Sequence, residues 1–220
     1  MAGMSQRAKT NKEKWLLVGK SLVFLAALIP LAKLIWLGLH NGLGANPIEK
    51  ITRTTGYWTL TFLLITLTAT PLRALLGWNW PIRWRRMLGL FAFFYASLHF
   101  TTYLVLDQFF DWPAIVKDIA KRPYITVGFP AFVMLIPLAV TSTNKMVQRL
   151  GGKRWKSLHG LIYAIGIAGV VHFWWLVKRD ISEPVQFAAM LAVLLGFRVV
   201  QAMRTKRSRN KPVLSRVEIS

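Results

Sequence analysis

Residues 156–178, KSLHGLIYAIGIAGVVHFWWLVK, decide how the rest of the chain is read. The stretch is apolar and long enough to cross a bilayer, which takes about 20 residues. It carries a histidine near each end, His159 and His172. At helical rise their 13-residue separation is roughly 20 Å, about two thirds of the hydrocarbon thickness. Ionisable groups inside a span are costly, so by default they are functional candidates. One histidine at each depth is the layout needed to hold one metal cofactor near each leaflet. At about 100° per residue the two side chains point roughly 140° apart around an ideal helix, so they need not face the same neighbour. Gly160, Gly166 and Gly169 are the places where close packing or distortion could reduce that mismatch.

Composition points the same way. The 220 residues are 54% hydrophobic, with ten tryptophans and a positive mean hydropathy. The class is a polytopic all-α membrane protein. A net charge of +21 in a soluble chain would suggest nucleic acid as partner, but here the basic residues fall in short clusters between apolar spans. The charge therefore reads as topology and contact with membrane lipids, with no nucleic acid. There is no cysteine, which excludes disulfides, thioether-attached haem and cysteine-ligated iron–sulfur clusters. Any metal must use histidine, methionine, carboxylate or backbone.

Six spans are expected. Residues 1–14 form a basic tail, and 15–39 form the first span, too long for the apolar region of a signal peptide. Lys20 and Lys33 can snorkel to opposite interfaces. The second span is 54–76, which Pro71 should kink or end near the membrane edge. Residues 77–86, GWNWPIRWRR, read as an interfacial loop. The third span, 87–106, holds His99, and a loop with Asp107, Asp111 and Asp118 follows. Gly128, Pro130 and Pro137 predict an irregular fourth span over 124–140. A basic loop over 141–156 leads into the organising helix, and the sixth span is 184–203. The membrane domain is thus 15–203, and 204–220 is a basic tail.

The N-terminal tail, the 73–86 and 145–156 connections and the tail after Met203 hold 19 Lys and Arg. The alternate loops hold 7. Six of the eight acids lie with the poorer set. This asymmetry predicts both termini in the cytoplasm. His99 and His172 then share the outer half on separate spans, where they can offer two imidazoles to one iron. His159 lies at the inner layer with no histidine partner in a neighbouring span. A lone intramembrane histidine can also simply hydrogen-bond across helices, and that reading weighs most on His159. His40 reads as a loop residue, and the run Phe91, Phe93, Phe94, Tyr95 as helix packing. Arg73, Arg83, Arg85 and Arg86 are positive-inside anchors that could also hold haem propionates or a flavin phosphate.

With the histidines placed, the chain resembles the ferric-reductase-like transmembrane family. The segments that carry the likeness are RRMLGLFAFFYASLHFTTY, KRPYITVGF and LGGKRWKSLHGLIYAIGIAGVVHFWW. Within the family it looks like the haem-binding subunits of periplasmic protein-methionine-sulfoxide reductase systems. The resemblance implies b-type haem in a multi-pass protein of the bacterial inner membrane. Such a subunit takes electrons from the quinone pool and passes them to a periplasmic molybdenum-containing subunit that reduces methionine sulfoxide in oxidised proteins. It also implies FMN. The family's haem-associated histidines fall on His99, His159 and His172. Wider family members carry two histidines on each of two helices, whereas the third span has His99 alone, so a second full bis-histidine site is not expected. They also append a flavin and nicotinamide domain, for which the 17-residue tail has no room.

The chain is then expected to act as an electron-transfer subunit without a substrate-reducing site of its own. His159 would serve the inner cofactor or quinone site, and His99 with His172 the outer haem. The alternatives are a stand-alone haem metal or quinone reductase, or a transporter or assembly protein with structural histidines. Transport usually shows inverted repeats and paired intramembrane acids, and the sequence has neither.

Overall fold

An apolar segment that crosses lipid must close its backbone hydrogen bonds within itself, so each long apolar run becomes a helix. The computed structural model describes the backbone of residues 2–177 and 180–209 and the side chains of 14–177 and 180–207. In chain order the helices are α1 (Ala2–Leu39), α2 (Pro47–Leu76), α3 (Trp80–Thr101), α4 (Trp112–Lys121), α5 (Pro123–Val140), α6 (Asn144–Leu150), α7 (Gly152–His159), α8 (Leu161–Leu176) and α9 (Ser182–Arg209). A π-helical turn, Thr102–Asp107, extends α3. Six helices are long and apolar enough to span: α1 from Lys14, α2, α3 with its π turn, α5, α7 with α8, and α9.

Several connections are more ordered than the sequence suggests. The basic residues before the first span lie in α1 itself. Only 77–79 separate α2 from α3, because Pro81 sits in the first turn of α3, where a missing N–H has no cost. The acidic loop contains the amphipathic α4, capped by Asp111 Oδ1 on the Ala114 amide at 3.0 Å. The basic loop over 141–156 folds into α6 and α7, and the fifth span begins at Gly152. Of the basic tail, 204–209 continue α9, while 178–179 and 210–220 lie outside the described residues.

The proline positions explain two cross-helix contacts. Pro71 does not end α2, which runs to Leu76 and closes on Gly77 in the left-handed conformation (φ +68°). A proline has no N–H for the carbonyl four residues earlier, here Leu67. Arg198 of α9 supplies the missing donor, with Nη2 at 3.2 Å from the Leu67 oxygen and 3.1 Å from Thr70 Oγ1. Its Nη1 donates to the Tyr163 hydroxyl at 2.5 Å. In α1, next to Pro30, the fully buried Tyr95 donates its hydroxyl to the Ala27 carbonyl at 2.8 Å and accepts from the Leu31 amide at 3.3 Å. The hydroxyl thereby mends the ladder beside the proline.

α2 packs along α3 and also meets α8 and α9, and α5 packs on α8. Leu60, Leu63 and Leu67 of α2 meet Ala92 of α3, Leu135 of α5 and Ile165 of α8 in the core. Gly169 brings α8 against Leu60, where a Cβ would lie 2.8 Å from Leu60 Cδ2. α1 rests on α2 and α3 and leaves Leu22, Leu25, Ile29 and Trp36 exposed. Such an apolar outer surface belongs against lipid.

Candidate functional site

His99 of α3 and His172 of α8 come together as the shared depth predicts. Their ring centres are 6.0 Å apart, with the planes at 90°. Each ring is held by a backbone carbonyl. Nδ1 of His99 donates to the Thr52 oxygen at 2.9 Å, and Nδ1 of His172 to the Tyr124 oxygen at 2.6 Å. A carbonyl can only accept, so each Nδ1 carries the proton and each Nε2 keeps its lone pair. Outer contacts of this kind fix the tautomer and orientation of a metal-binding histidine.

Two glycines make room for the rings. A Cβ on Gly56 of α2 would lie 3.1 Å from both Cε1 and Nδ1 of His99. One on Gly128 of α5 would lie 2.9 Å from Cε1 of His172 and closer still to its Nδ1. The carbonyls that orient the rings can approach only because their helices are thin at these points.

The pair lines a cavity of about 510 Å³, within the range of cofactor sites. Leu63, Leu135 and Ile165 line its deep end, and Phe100, Phe129 and Phe132 its walls. Asn46, Glu49, Arg53, Asp107 and Arg122 line the mouth, at the end of the bundle that carries most of the acids. There the Arg122 guanidinium donates from Nη1 to the Tyr124 hydroxyl at 3.2 Å. That bond and the nearby Asp118 hold it still more firmly charged than usual.

The donor set limits what can bind. Among the described residues no three His, Asp or Glu side chains are grouped to hold a bare metal ion. Two imidazoles with free lone pairs suit a metal that brings its own in-plane donors, as iron in a porphyrin does. With metal–nitrogen bonds of about 2.0 Å, two axial imidazoles stand with their centres roughly 6 Å apart, close to the observed separation. The residues present fit haem.

His159 is not brought to this cavity. It ends α7 at the opposite end of the fifth span, where Gly160 separates it from α8. Its ring stacks on Trp155, centres 3.9 Å apart at 26°. Its Nε2 lies 3.1 Å from Thr141 Oγ1, whose own proton goes to the Pro137 carbonyl at 2.6 Å. The threonine oxygen must therefore accept, which puts the proton on His159 Nε2. His40 lies exposed in the turn after α1, with Nδ1 2.9 Å from the Trp36 carbonyl.

The profile described as "Ferric reductase like transmembrane component" matches residues 53–170. A protein-methionine-sulfoxide reductase heme-binding subunit MsrQ of Herminiimonas arsenicoxydans is 60% identical over 193 residues, covering 87% of this chain and 88% of the relative. The chain belongs to the MsrQ branch of the ferric-reductase-like transmembrane family. MsrQ proteins of Rhodospirillum rubrum (54% identical; 89% of this chain and 94% of the relative) and Ralstonia nicotianae (55%; 84% and 86%) carry the same description. No solved structure matches the chain.

Sequence reading reached the histidines of this MsrQ-family chain but not what positions them. Thr52 and Gly56 carry no signal of their own, while Tyr124 opens the expected fourth span and Gly128 reads there as a source of helix irregularity. The Thr52 and Tyr124 contributions are backbone atoms, which no side-chain pattern announces. A glycine in each of two spans was the available signal. Arg198, a charge inside the sixth span, was visible and is structural. Tyr95 sits among the aromatics read as packing and does pack, stacked on Phe62 at 5.4 Å, but it also mends α1.

Proposed function

We propose that this chain is a b-type cytochrome of the bacterial inner membrane. It relays electrons from the quinone pool to a periplasmic molybdenum-containing methionine sulfoxide reductase subunit, for repair of oxidised periplasmic proteins. The observation that carries the reading is the pair of Nε2 lone pairs on His99 and His172 beside one cavity, supported by relatives named as heme-binding subunits. Bound haem supplies one-electron chemistry. His99 and His172 would hold the iron through Nε2, and the Thr52 and Tyr124 carbonyls fix the ring tautomers and raise ligand basicity. The leucine and phenylalanine lining excludes water, which lowers the local dielectric and tunes the potential. His159, at the end that Arg85 and Arg86 make positive, serves the donor side. Asp107 and Asp118 lie at the opposite mouth, where the acceptor subunit docks.

The test is the reduced-minus-oxidised spectrum of the purified protein alongside His99→Ala and His172→Ala. A bis-imidazole b-haem spectrum lost in either variant is the expected result. A colourless wild type after expression with ample haem would overturn the reading. Methionine sulfoxide reduction that needs both this protein and the external subunit separates the relay from a stand-alone reductase.

A further inference from the structure

The mouth of the cavity holds an unused donor. Tyr103, in the π-helical turn just after α3, buries its hydroxyl with no hydrogen-bond partner among the described residues, and it lines the same cavity as the histidine pair. A buried polar group left unpaired forfeits its hydration without return. π turns of this kind are frequent at functional sites. A hydroxyl kept dry and unpartnered in a cofactor cavity is explained if its acceptor comes with the ligand.

Two guanidinium groups line the same end, Arg53 of α2 and Arg122 before α5. Each has its salt bridge within its own helical turn. Arg53 Nε meets Glu49 at 2.8 Å and Arg122 Nε meets Asp118 at 3.2 Å. Pairs with at least one solvent-exposed partner hold weakly, and these leave terminal guanidinium nitrogens for a stronger acceptor. The acids that would compete are already engaged: the Gln108 amide donates to Asp107 at 3.1 Å and to Asp118 at 3.3 Å. The deep end of the cavity is hydrocarbon and offers an anion nothing.

We infer that Tyr103 and Arg122, with Arg53 at the same mouth, form a carboxylate clamp for the acidic side chains of the porphyrin held between His99 and His172. The inference rests on the haem reading above. The porphyrin enters apolar edge first, and its two carboxylates stop at the acid-bearing end of the bundle. They do not reach the basic rim of Arg73, Arg83, Arg85 and Arg86. Tyr103 donates its hydroxyl proton and Arg122 its remaining N–H groups, as charge-assisted bonds in a partly dry site. Neither residue touches the iron. Both position the ring that the imidazoles ligate.

The experiment compares haem b with its dimethyl ester, which has the same ring and no ionisable carboxylates. The full-length chain, produced without haem, is titrated with each in detergent, as wild type, Tyr103→Phe, Arg122→Met and Arg122→Lys. Absorption reads the Kd, and spectroelectrochemistry reads the midpoint potential. The expected wild type prefers the diacid on the order of tenfold or more. Tyr103→Phe and Arg122→Met shrink that preference and leave ester affinity unchanged, while Arg122→Lys keeps part of it. Variants that weaken both ligands equally would show a merely structural role and overturn the clamp, as would a wild type without preference. If neither ligand gives a bis-imidazole spectrum, the haem reading fails and takes the clamp with it. A normal spectrum with unchanged preference overturns the clamp alone.

Discussion

The two ends of the membrane bundle treat their polar side chains in opposite ways. At the acid-bearing end, His99 and His172 each spend one nitrogen on a backbone carbonyl and leave the other facing a cavity. At the basic end, His159 spends its Nε2 proton on Thr141, and Arg198 gives its terminal nitrogens to Leu67, Thr70 and Tyr163, leaving only its buried Nε without a partner among the described residues. The same kinds of residue in the same hydrocarbon thus do different work. What separates the histidines is where the second ring nitrogen stands: His99 and His172 line one cavity, whereas His159 lies outside it, stacked on Trp155. An intramembrane polar residue is costly either way, so its presence marks a need and its partners say which.

The largest test of this contrast acts on the glycines rather than the histidines. Gly128→Ala should reduce haem retention about 10- to 100-fold, the usual consequence of disturbing an outer-shell contact, because the new methyl displaces the His172 ring. Gly56→Ala should do less, since its Cβ contacts with His99 are longer. Haem-to-protein ratio after purification measures both, and a fully loaded Gly128→Ala protein would break the account of the pair.

Next in size is Arg198→Met, which strips the Leu67 carbonyl of its donor and should cost about 1–3 kcal/mol of stability. Restoring an N–H at the proline should shrink that loss, so in a Pro71→Ala background Arg198→Met should cost visibly less. Unfolding in detergent reads the cycle, with the haem spectrum expected to stay unchanged throughout. An equal loss in both backgrounds would mean that Arg198 does not serve Leu67.

The smallest expected change in cofactor content is for His159→Ala. It should keep its haem and its bis-imidazole spectrum, while reduction by quinol slows. Loss of the spectrum would place His159 in the iron's own shell and erase the distinction between the two ends.

Much of this was legible in the chain. Length and apolarity give six spans, and a histidine at matching depth in the third and fifth gives the pair. Depth can be counted along a helix from charged ends, so it survives ignorance of the packing. Azimuth does not. Whether His159 or His172 faces α3 depends on how the fifth helix is rotated and on the break at Gly160, and both follow from packing against α2 and α5. The 141–156 connection illustrates the same limit: its basic residues separate two spans but do not reveal α6 and α7.

The sequence by itself determined the crossings, their order, the charge asymmetry and the residue types available for chemistry, because in lipid the backbone has one economical solution and hydropathy reports it. Only the tertiary structure decided which histidines come together at one cavity. That choice rests on carbonyls of Thr52 and Tyr124, on the missing Cβ atoms of Gly56 and Gly128, and on the acceptor beside each imidazole. These are relations between helices far apart in the chain, and a proton moves from one ring nitrogen to the other according to what stands next to it.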